Sequence, residues 1–455
     1  MRKIIQYMMM ALIAVVLASC ANDISEESTP TVKSNIRFVV DDFPMFEKPS
    51  TRTIGEEDKG KTAWAVGDEI CVKLESKELG TQTATLKYNG VKFEIQDGNS
   101  LCYLDGEPVT AYAYYAPNRR WRNGSLDFKD IYGNPNGTAE FLEATCTVHY
   151  GDNNYVDISF ANATRNYSRL RIATIPKTEI KVDADNFAPT DNPNRLYMTY
   201  TLTSDEKGNA YLYGTFYNNS IVTVKYRGAT LKTYKFSKET ENAKSYVLDA
   251  TVISANSAEE IYSAIKQEVA NSKTAIRLNL ASDAGDNEFN AIREAFENVR
   301  GYGTIDLTLI GCKEIPVNGL YRIMALKSIT LPDVTKIRMD ALSSCLYLQE
   351  ICAPNVSAID EYAFGKCRYL RKVTLGKLTD VRGEANSRSG IFDDINDLYP
   401  DIDLYLPKNQ EVMEFDENSK QYIWKPTGES YFASPDYYDN GIFLGYQFHS
   451  VKSWE

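Results

Sequence analysis

A 22-residue period in the last third of the chain restricts its fold more than any other feature. Leu307, Ile329, Ile351 and Val373 stand 22 apart, as do Leu309, Leu331, Ala353 and Leu375, and Ile315, Ile337, Ile359 and Val381. Leu326, Leu348 and Leu370 form a fourth column, Cys345 and Cys367 a fifth. A unit this short cannot bury its own apolar face, so successive units must stack, each adding one strand, and the columns fuse into one continuous core. The period predicts a solenoid over residues 301–410 with three good repeats, the minimum for a stable stack. A polar loop at residues 383–389 interrupts the fourth before Leu404, Leu406 and Pro407 restore a strand. Ahead of the array, Ser257 with Glu260 makes a capping-box pattern, and Ile261, Ile265 and Val269 recur at helical spacing. Ile276, Leu278 and Leu280 then alternate as a strand, and Phe289, Ile292, Phe296 and Val299 mark a second amphipathic helix. Residues 256–300 are therefore predicted to be a helical cap. An aromatic tail over 411–455, with Trp424, Tyr437, Tyr438, Tyr446, Phe448 and Trp454, is predicted to close the other end.

Alternation along a strand fixes which residues point out. With Ile329 and Leu331 facing the core, the outward column is Thr308, Thr330, Cys352 and Thr374, flanked by Asp306, Ser328, Glu350 and Lys372. We take Thr308, Ser328, Thr330, Glu350, Cys352, Lys372 and Thr374 as the candidate partner-binding face; a solvated sheet is the plainer alternative. Cys352 is expected to face solvent, and Cys345 and Cys367 to be buried.

Residues 35–252 read as strand after strand. Ile36, Phe38 and Val40 alternate with polar neighbours, as do Val156, Ile158 and Phe160, then Leu170 and Ile172, then Val222, Val224 and Tyr226. Leu86 and Tyr88 lead into Asn89-Gly90, followed by Val91, Phe93 and Ile95, a strong hairpin signal because the turn demands positive φ. Long helical periodicity is absent. The expectation is an antiparallel β-sandwich over 35–172 and a second, shorter one over 173–252.

Charge and side-chain inventory exclude several chemistries. A formal charge of −12 opposes non-specific nucleic-acid binding, which runs on clustered Lys and Arg. No Walker A motif and no GxGxxG after a strand occurs, so no cofactor is expected. His149 and His449 are the only imidazoles, and an ordinary half-buried histidine is the better reading of His149 than a catalytic one. Cys71, Cys102, Cys146, Cys312, Cys345, Cys352 and Cys367 form no CxxC or Cys/His cluster, so no metal site is assigned. Asp393, Asp394, Asp397, Asp401 and Asp403 crowd one stretch without EF-hand spacing, which suits a solvated acidic loop better than calcium. The chain is read as a non-enzyme.

The N-terminus points to export. Behind Arg2 and Lys3, the apolar run over residues 8–17 falls short of the ~20 residues that span a bilayer but suits a secretory signal. It ends in Leu17-Ala18-Ser19-Cys20, which resembles a bacterial lipobox. The resemblance implies a signal peptide over 1–19, lipidation of Cys20, a tether over 20–34, and an outer-membrane anchor by several acyl chains. Asp23, Glu26 and Glu27 are similar to the export tags of surface lipoproteins in Gram-negative anaerobes.

Two further resemblances concern the folded part. Thr51-Arg52-Thr53, Trp64-Ala65-Val66-Gly67-Asp68-Glu69-Ile70, Ala111-Tyr112-Ala113-Tyr114-Tyr115-Ala116-Pro117 and Ser159-Phe160-Ala161-Asn162-Ala163 resemble, in order, segments of fimbrillin-like (Mfa-like) proteins. Asn162 departs from the His or Lys usual there. This implies transthyretin-like sandwiches and, by analogy with pilus subunits, proteolysis that frees an edge for a strand from the next subunit. Arg52 becomes a candidate processing site, although an arginine in a solvated loop beside Glu56, Glu57 and Asp58 is the plainer reading. Ala363-Phe364, Cys367, Leu370, Val373 and Leu375, matched by Ala341-Leu342, Cys345, Leu348 and Ile351, resemble BspA-type leucine-rich repeats. The fold class is thus mainly β: transthyretin-like sandwiches followed by a short leucine-rich-repeat solenoid with a helical N-cap. The function implied is a lipid-anchored surface adhesin or pilus-associated subunit that binds a protein or cell-surface ligand, and other pilus subunits by strand addition. The alternative is a glycan-binding lipoprotein of a polysaccharide-uptake system, in which Trp121 would stack on sugar, and a third reading is a passive scaffold.

Overall fold

The computed structural model describes residues 32–454, except 34–35, 48–59, 97–100, 105, 118–119, 123–124, 128–135, 152–153, 162–164, 191–195, 384–389, 393–400 and 417–421. Cys20 and the signal peptide, Arg52, Asn162, Asp393, Asp394 and Asp397 therefore lie outside the described residues. The chain is mainly β. It forms two compact units, the first made of residues up to Phe43, Ala63–Asp127 and Leu142–Thr164, the second of Pro44–Thr62, Phe128–Phe141 and Arg165–Glu455.

The first unit carries a seven-stranded sheet. Its order is Arg37–Val40, Tyr155–Ser159, Leu142–His149, Val109–Tyr115, Glu69–Ser76, Gly80–Tyr88 and Phe93–Ile95. All neighbours are antiparallel except Arg37–Val40, an edge strand parallel to Tyr155–Ser159. Leu142–His149 divides its pairing between two neighbours, with Leu142 to Ala144 on Val109–Tyr115 and Thr145 to His149 on Tyr155–Ser159. Alternation puts Ile70, Val72, Leu74, Leu86, Ala113, Val156 and Ile158 inside. Trp64 fills the core edge-on to Phe43, Phe93, Tyr115 and Phe160, with centroids 4.9, 5.0, 5.3 and 5.6 Å away. Its indole N–H donates to the Asp41 carbonyl at 2.7 Å. The hairpin after Tyr88 forms, but as a four-residue loop: Asn89 Oδ1 accepts from the N–H groups of Val91 and Lys92, both at 2.9 Å. Val91 is consequently 86% exposed, not a core position.

The second unit begins with another six-stranded sheet. It runs Tyr197–Thr203, Glu179–Pro189, Asn209–Tyr226, Ser168–Ala173 and Ser245–Asp249, with Ala229–Lys235 hairpinned onto the end of Asn209–Tyr226. Ser168–Ala173 corrects the expected boundary after residue 172. Alternation set the inward face of Leu170 and Ile172, but their partners are Leu212, Ala210, Tyr246 and Leu248, all in this sheet. The central strand of this sheet, Asn209–Tyr226, is 18 residues long. Arg165, 1% exposed, ties two crossing segments to it: its guanidinium pairs with Glu140, donates to the Pro44 carbonyl at 3.0 Å and lies 3.8 Å over the Phe46 ring. A buried arginine is tolerated because every one of these contacts replaces water.

The repeats then stack as the period requires. Ile253–Ser254, Ala275–Asn279, Ile305–Ile310, Leu326–Thr330, Glu350–Ala353, Lys372–Leu375, Asp403–Pro407 and Ser450–Trp454 form an eight-stranded parallel sheet. Leu307 pairs with Ile329, Ile329 with Ile351 and Ile351 with Val373, each at most 1% exposed. A second set of short parallel strands, Glu314–Ile315, Lys336–Ile337, Ala358–Ile359 and Asp380–Arg382, carries the Ile315 column. Two helices lie in the first crossovers, α1 (Ala258–Ala270) between Ile253–Ser254 and Ala275–Asn279 and α2 (Asp286–Phe296) between Ala275–Asn279 and Ile305–Ile310. Ser257 Oγ accepts from the Glu260 N–H, and Ile261, Ile265, Phe289, Ile292 and Phe296 are buried against the stack.

Within this unit the sheet and the repeats share contacts. Ile310 leaves the repeat core and joins the cluster of Leu231, Phe236 and Leu248. Arg277 Nε donates to the Leu231 carbonyl at 3.0 Å. The tip of the Tyr226–Ala229 hairpin is clamped as well: Arg227 pairs with Asp333, and Asn355 Nδ2 donates to the Arg227 and Pro332 carbonyls at 3.0 and 2.8 Å.

Candidate functional site

The large parallel sheet brings the predicted face together in two columns. Asp306, Ser328, Glu350, Lys372 and Asp403 pair in one, Thr308, Thr330, Cys352, Thr374 and Tyr405 in the other. Thr308 is a correction: it is 7% exposed, because its strand lies where Arg277 and Ile310 meet the neighbouring sheet. Cys352 is half-buried rather than solvent-facing, and burial pushes its thiol up to about 11, with Glu350 adding to the effect. Cys345 and Cys367 are fully enclosed; their thiols donate to the carbonyls of Leu320 and Leu342 at 3.1 and 3.2 Å.

The charged column is largely self-satisfied. Ser328 Oγ donates to Asp306 at 2.6 Å and Lys372 Nζ to Glu350 at 2.6 Å. Lys372 and Lys452 lie 5.7 and 5.6 Å from the Tyr405 centroid. Such exposed pairs contribute about 0–1 kcal/mol each to stability, and a partner would have to displace them.

A second surface was missed by sequence reasoning. Tyr302, Tyr347 and Tyr369 form a ladder at the start of the repeat strands, with centroids 4.9 and 5.4 Å apart and planes within 6° and 8°. Tyr347 and Tyr369 stand one repeat apart and were legible. Tyr302 arrives from outside the register and covers the place where the preceding repeat has only Ala325. Gly303, at φ 60°, permits this approach, since a Cβ there would stand 3.1 Å from that of Tyr347. Beyond Tyr302 lies a pocket of about 550 Å³ between the end of α2 and the Tyr321 turn, lined by Phe296, Glu297, Asn298, Tyr302, Tyr321 and Arg322 among others.

The remaining candidates resolve into structural roles. His149 stacks on Tyr155, with centroids 4.2 Å apart, and its Nε2 sits 2.9 Å from Asp157 across the strand pair. Asp403 bonds Ser450 and Lys452, which hold its carboxyl below the usual range. Among the described residues no cluster of three or more metal-ligating side chains occurs. No described helix is long and apolar enough to cross a membrane.

Residues 290–391 match the BspA type leucine rich repeat region in six copies. The BspA-type repeats thus begin within α2 and take in the tyrosine ladder. No curated protein is significantly similar to the chain. Among solved structures, a Bacteroides fragilis NCTC 9343 protein provisionally described as a cell adhesion protein aligns over 47% of this chain and 91% of its own, with 10% identity and a TM-score of 0.24. The shaft pilin SpaA of Lactobacillus rhamnosus GG aligns over 48% and 94%, with 12% identity and a TM-score of 0.18. At these scores neither likeness bears on function.

Proposed function

We propose that this chain is a surface adhesin or pilus-associated subunit, anchored in the outer membrane through Cys20, whose BspA-type repeats meet a protein or cell-surface partner and whose action is binding rather than catalysis. The observation that carries the reading is a parallel repeat stack clamped to a β-sheet base at Arg227, Asn355 and Arg277. Such a base holds an extended binding surface in a fixed attitude, which a presented adhesive module requires. The lipobox-like Leu17-Ala18-Ser19-Cys20 supports the anchor.

Strand exchange through processing at Arg52 is part of the proposal. Among the described residues ahead of Arg52, Arg37–Val40 is a four-residue edge strand of the first sheet, and its loss would bare the Tyr155–Ser159 edge. Immunogold labelling of intact cells with antibody to residues 300–455 tests the reading. Label on filaments or at their tips is expected for a pilus-associated subunit, and label on the membrane surface for an anchored adhesin. Absence of surface label from cells that contain the protein would refute both. Metabolic labelling with palmitate, lost in Cys20→Ala, checks the anchor.

A further inference from the structure

We propose that the pocket between the end of α2 and Tyr302 is a carbohydrate site that takes a pyranose residue of a glycan chain; the inference deepens the adhesin reading and rests on it for where the glycan is met. Its volume of about 550 Å³ is in the range of small-ligand sites, about 300–1,000 Å³. The floor is apolar, with Phe296 and Ile323 buried. Tyr302 is 66% exposed and Tyr321 39% exposed, and Tyr347 covers only one face of Tyr302. Rings left this bare beside a concavity are a docking surface more than a core remnant.

The rim decides the chemistry. A pyranose offers a C–H face that lies flat on an aromatic ring, and hydroxyls that both donate and accept. Glu297, Asn298 and Arg322 supply a carboxylate, an amide and a guanidinium, all exposed, which meet such hydroxyls in pairs. Arg293 is already committed, its Nη1 donating to the carbonyls of Asn318 and Gly319. Arg322 has no side-chain partner among the described residues. An anionic ligand is disfavoured: the adjoining groove between α1 and α2 carries Glu259, Glu288 and Glu294 against one cation, Lys266, and the chain as a whole is at −12. A neutral, hydroxyl-rich ligand with an apolar face is what remains.

Isothermal titration of the full chain against tetrasaccharides of glucose, mannose, galactose and N-acetylglucosamine tests this. At least one is expected to bind in the micromolar to sub-millimolar range. Tyr302→Ala and Arg322→Gln should each weaken it by about tenfold, the loss of one stacked or charge-assisted contact. Tyr302→Phe should retain the affinity, and Lys238→Ala, at an exposed position remote from both faces in sequence, should leave it unchanged. Unaltered melting of each variant separates lost contact from lost fold. Failure of all four sugars to bind at millimolar concentration would overturn the proposal, as would binding that survives both Tyr302→Ala and Arg322→Gln. Surface label on cells together with no sugar binding would sink this inference alone and leave the adhesin reading standing.

Discussion

At the scale of single residues, the thiols of the repeat core show how burial converts into a pH dependence. Burial pushes Cys345 up to about 12, from an ordinary value near 9, and Cys71 and Cys312 behave alike. A thiol whose folded pKa is raised favours the native state while it stays protonated. Below about pH 9 both states are protonated and stability is flat. Between about 9 and 12 the unfolded chain ionises first and holds fewer protons, so stability falls as pH rises. For Cys345 alone the loss at pH 10.5 is about 2 kcal/mol. Under reducing conditions, urea unfolding of the wild type and of Cys345→Ala at pH 7.5 and 10.5 should show a smaller alkaline loss in the variant by about that amount. Equal losses would mean that water reaches the thiol.

At the scale of elements, Asp333 is where the sheet base and the repeats are coupled. Its carboxylate accepts from the Gly311 N–H at 2.9 Å, pairs with Arg227 and stands 3.6 Å from Lys313. The side chain of Asp333 is 2% exposed and that of Arg227 53%. Asp333→Ala removes a buried carboxylate and leaves the half-buried Gly311 N–H without its acceptor, and should cost about 2–3 kcal/mol, whereas Arg227→Ala, at an exposed partner, should cost less than about 1 kcal/mol. Scanning calorimetry of the two variants checks the order, and equal effects would show that Asp333 acts only through the ion pair. Such docking also marks where the sequence stopped being informative. The columns through Leu307 and Ile315 were legible because a period needs nothing but apolar positions at fixed spacing. The burial of Thr308 was not, because it depends on Leu231 and Ile310 meeting across a distance that no local pattern encodes. Ser168–Ala173 failed for a related reason: alternation fixes which side of a strand is apolar, not which strand lies beside it. Two of the three rings of the tyrosine ladder stood in register, at Tyr347 and Tyr369. Its outermost ring did not, since Tyr302 reaches it from a glycine-flanked turn and stands outside the 22-residue register of the other two.

For the whole molecule, a parallel stack has two edge strands, each of which can pair with another copy. At the first end the edge strand is Ile253–Ser254, only two residues long, and helices α1 and α2 lie in the crossovers that follow it. At the last end the sheet is extended by chain that returns after the interrupted repeat: Ser450–Trp454 adds the eighth strand, parallel to Asp403–Pro407, and the Trp454 indole N–H donates to the Leu375 carbonyl at 2.9 Å. Just before it, Tyr446 and Phe448 pack edge-on against Phe392 at 5.3 and 5.6 Å, and Phe443, Leu444 and Val451 are buried with them. A chain ended after residue 440 would lose five such side chains, each contributing about 1.5–3 kcal/mol by burial, against a net stability of about 5–15 kcal/mol for a folded domain. It would also bare the full length of the Asp403–Pro407 edge. Light scattering after size exclusion should therefore find the truncated protein aggregated where the full chain is monodisperse, with the repeat transition lost or moved far down in temperature. A monodisperse truncation with unchanged melting would make the tail an appendage, and the repeats before it would then have to be stable with an open edge. In the intact chain the sheet ends on two short edge strands, Ile253–Ser254 and Ser450–Trp454, and the sheet face and the tyrosine rim are the broader surfaces of the stack.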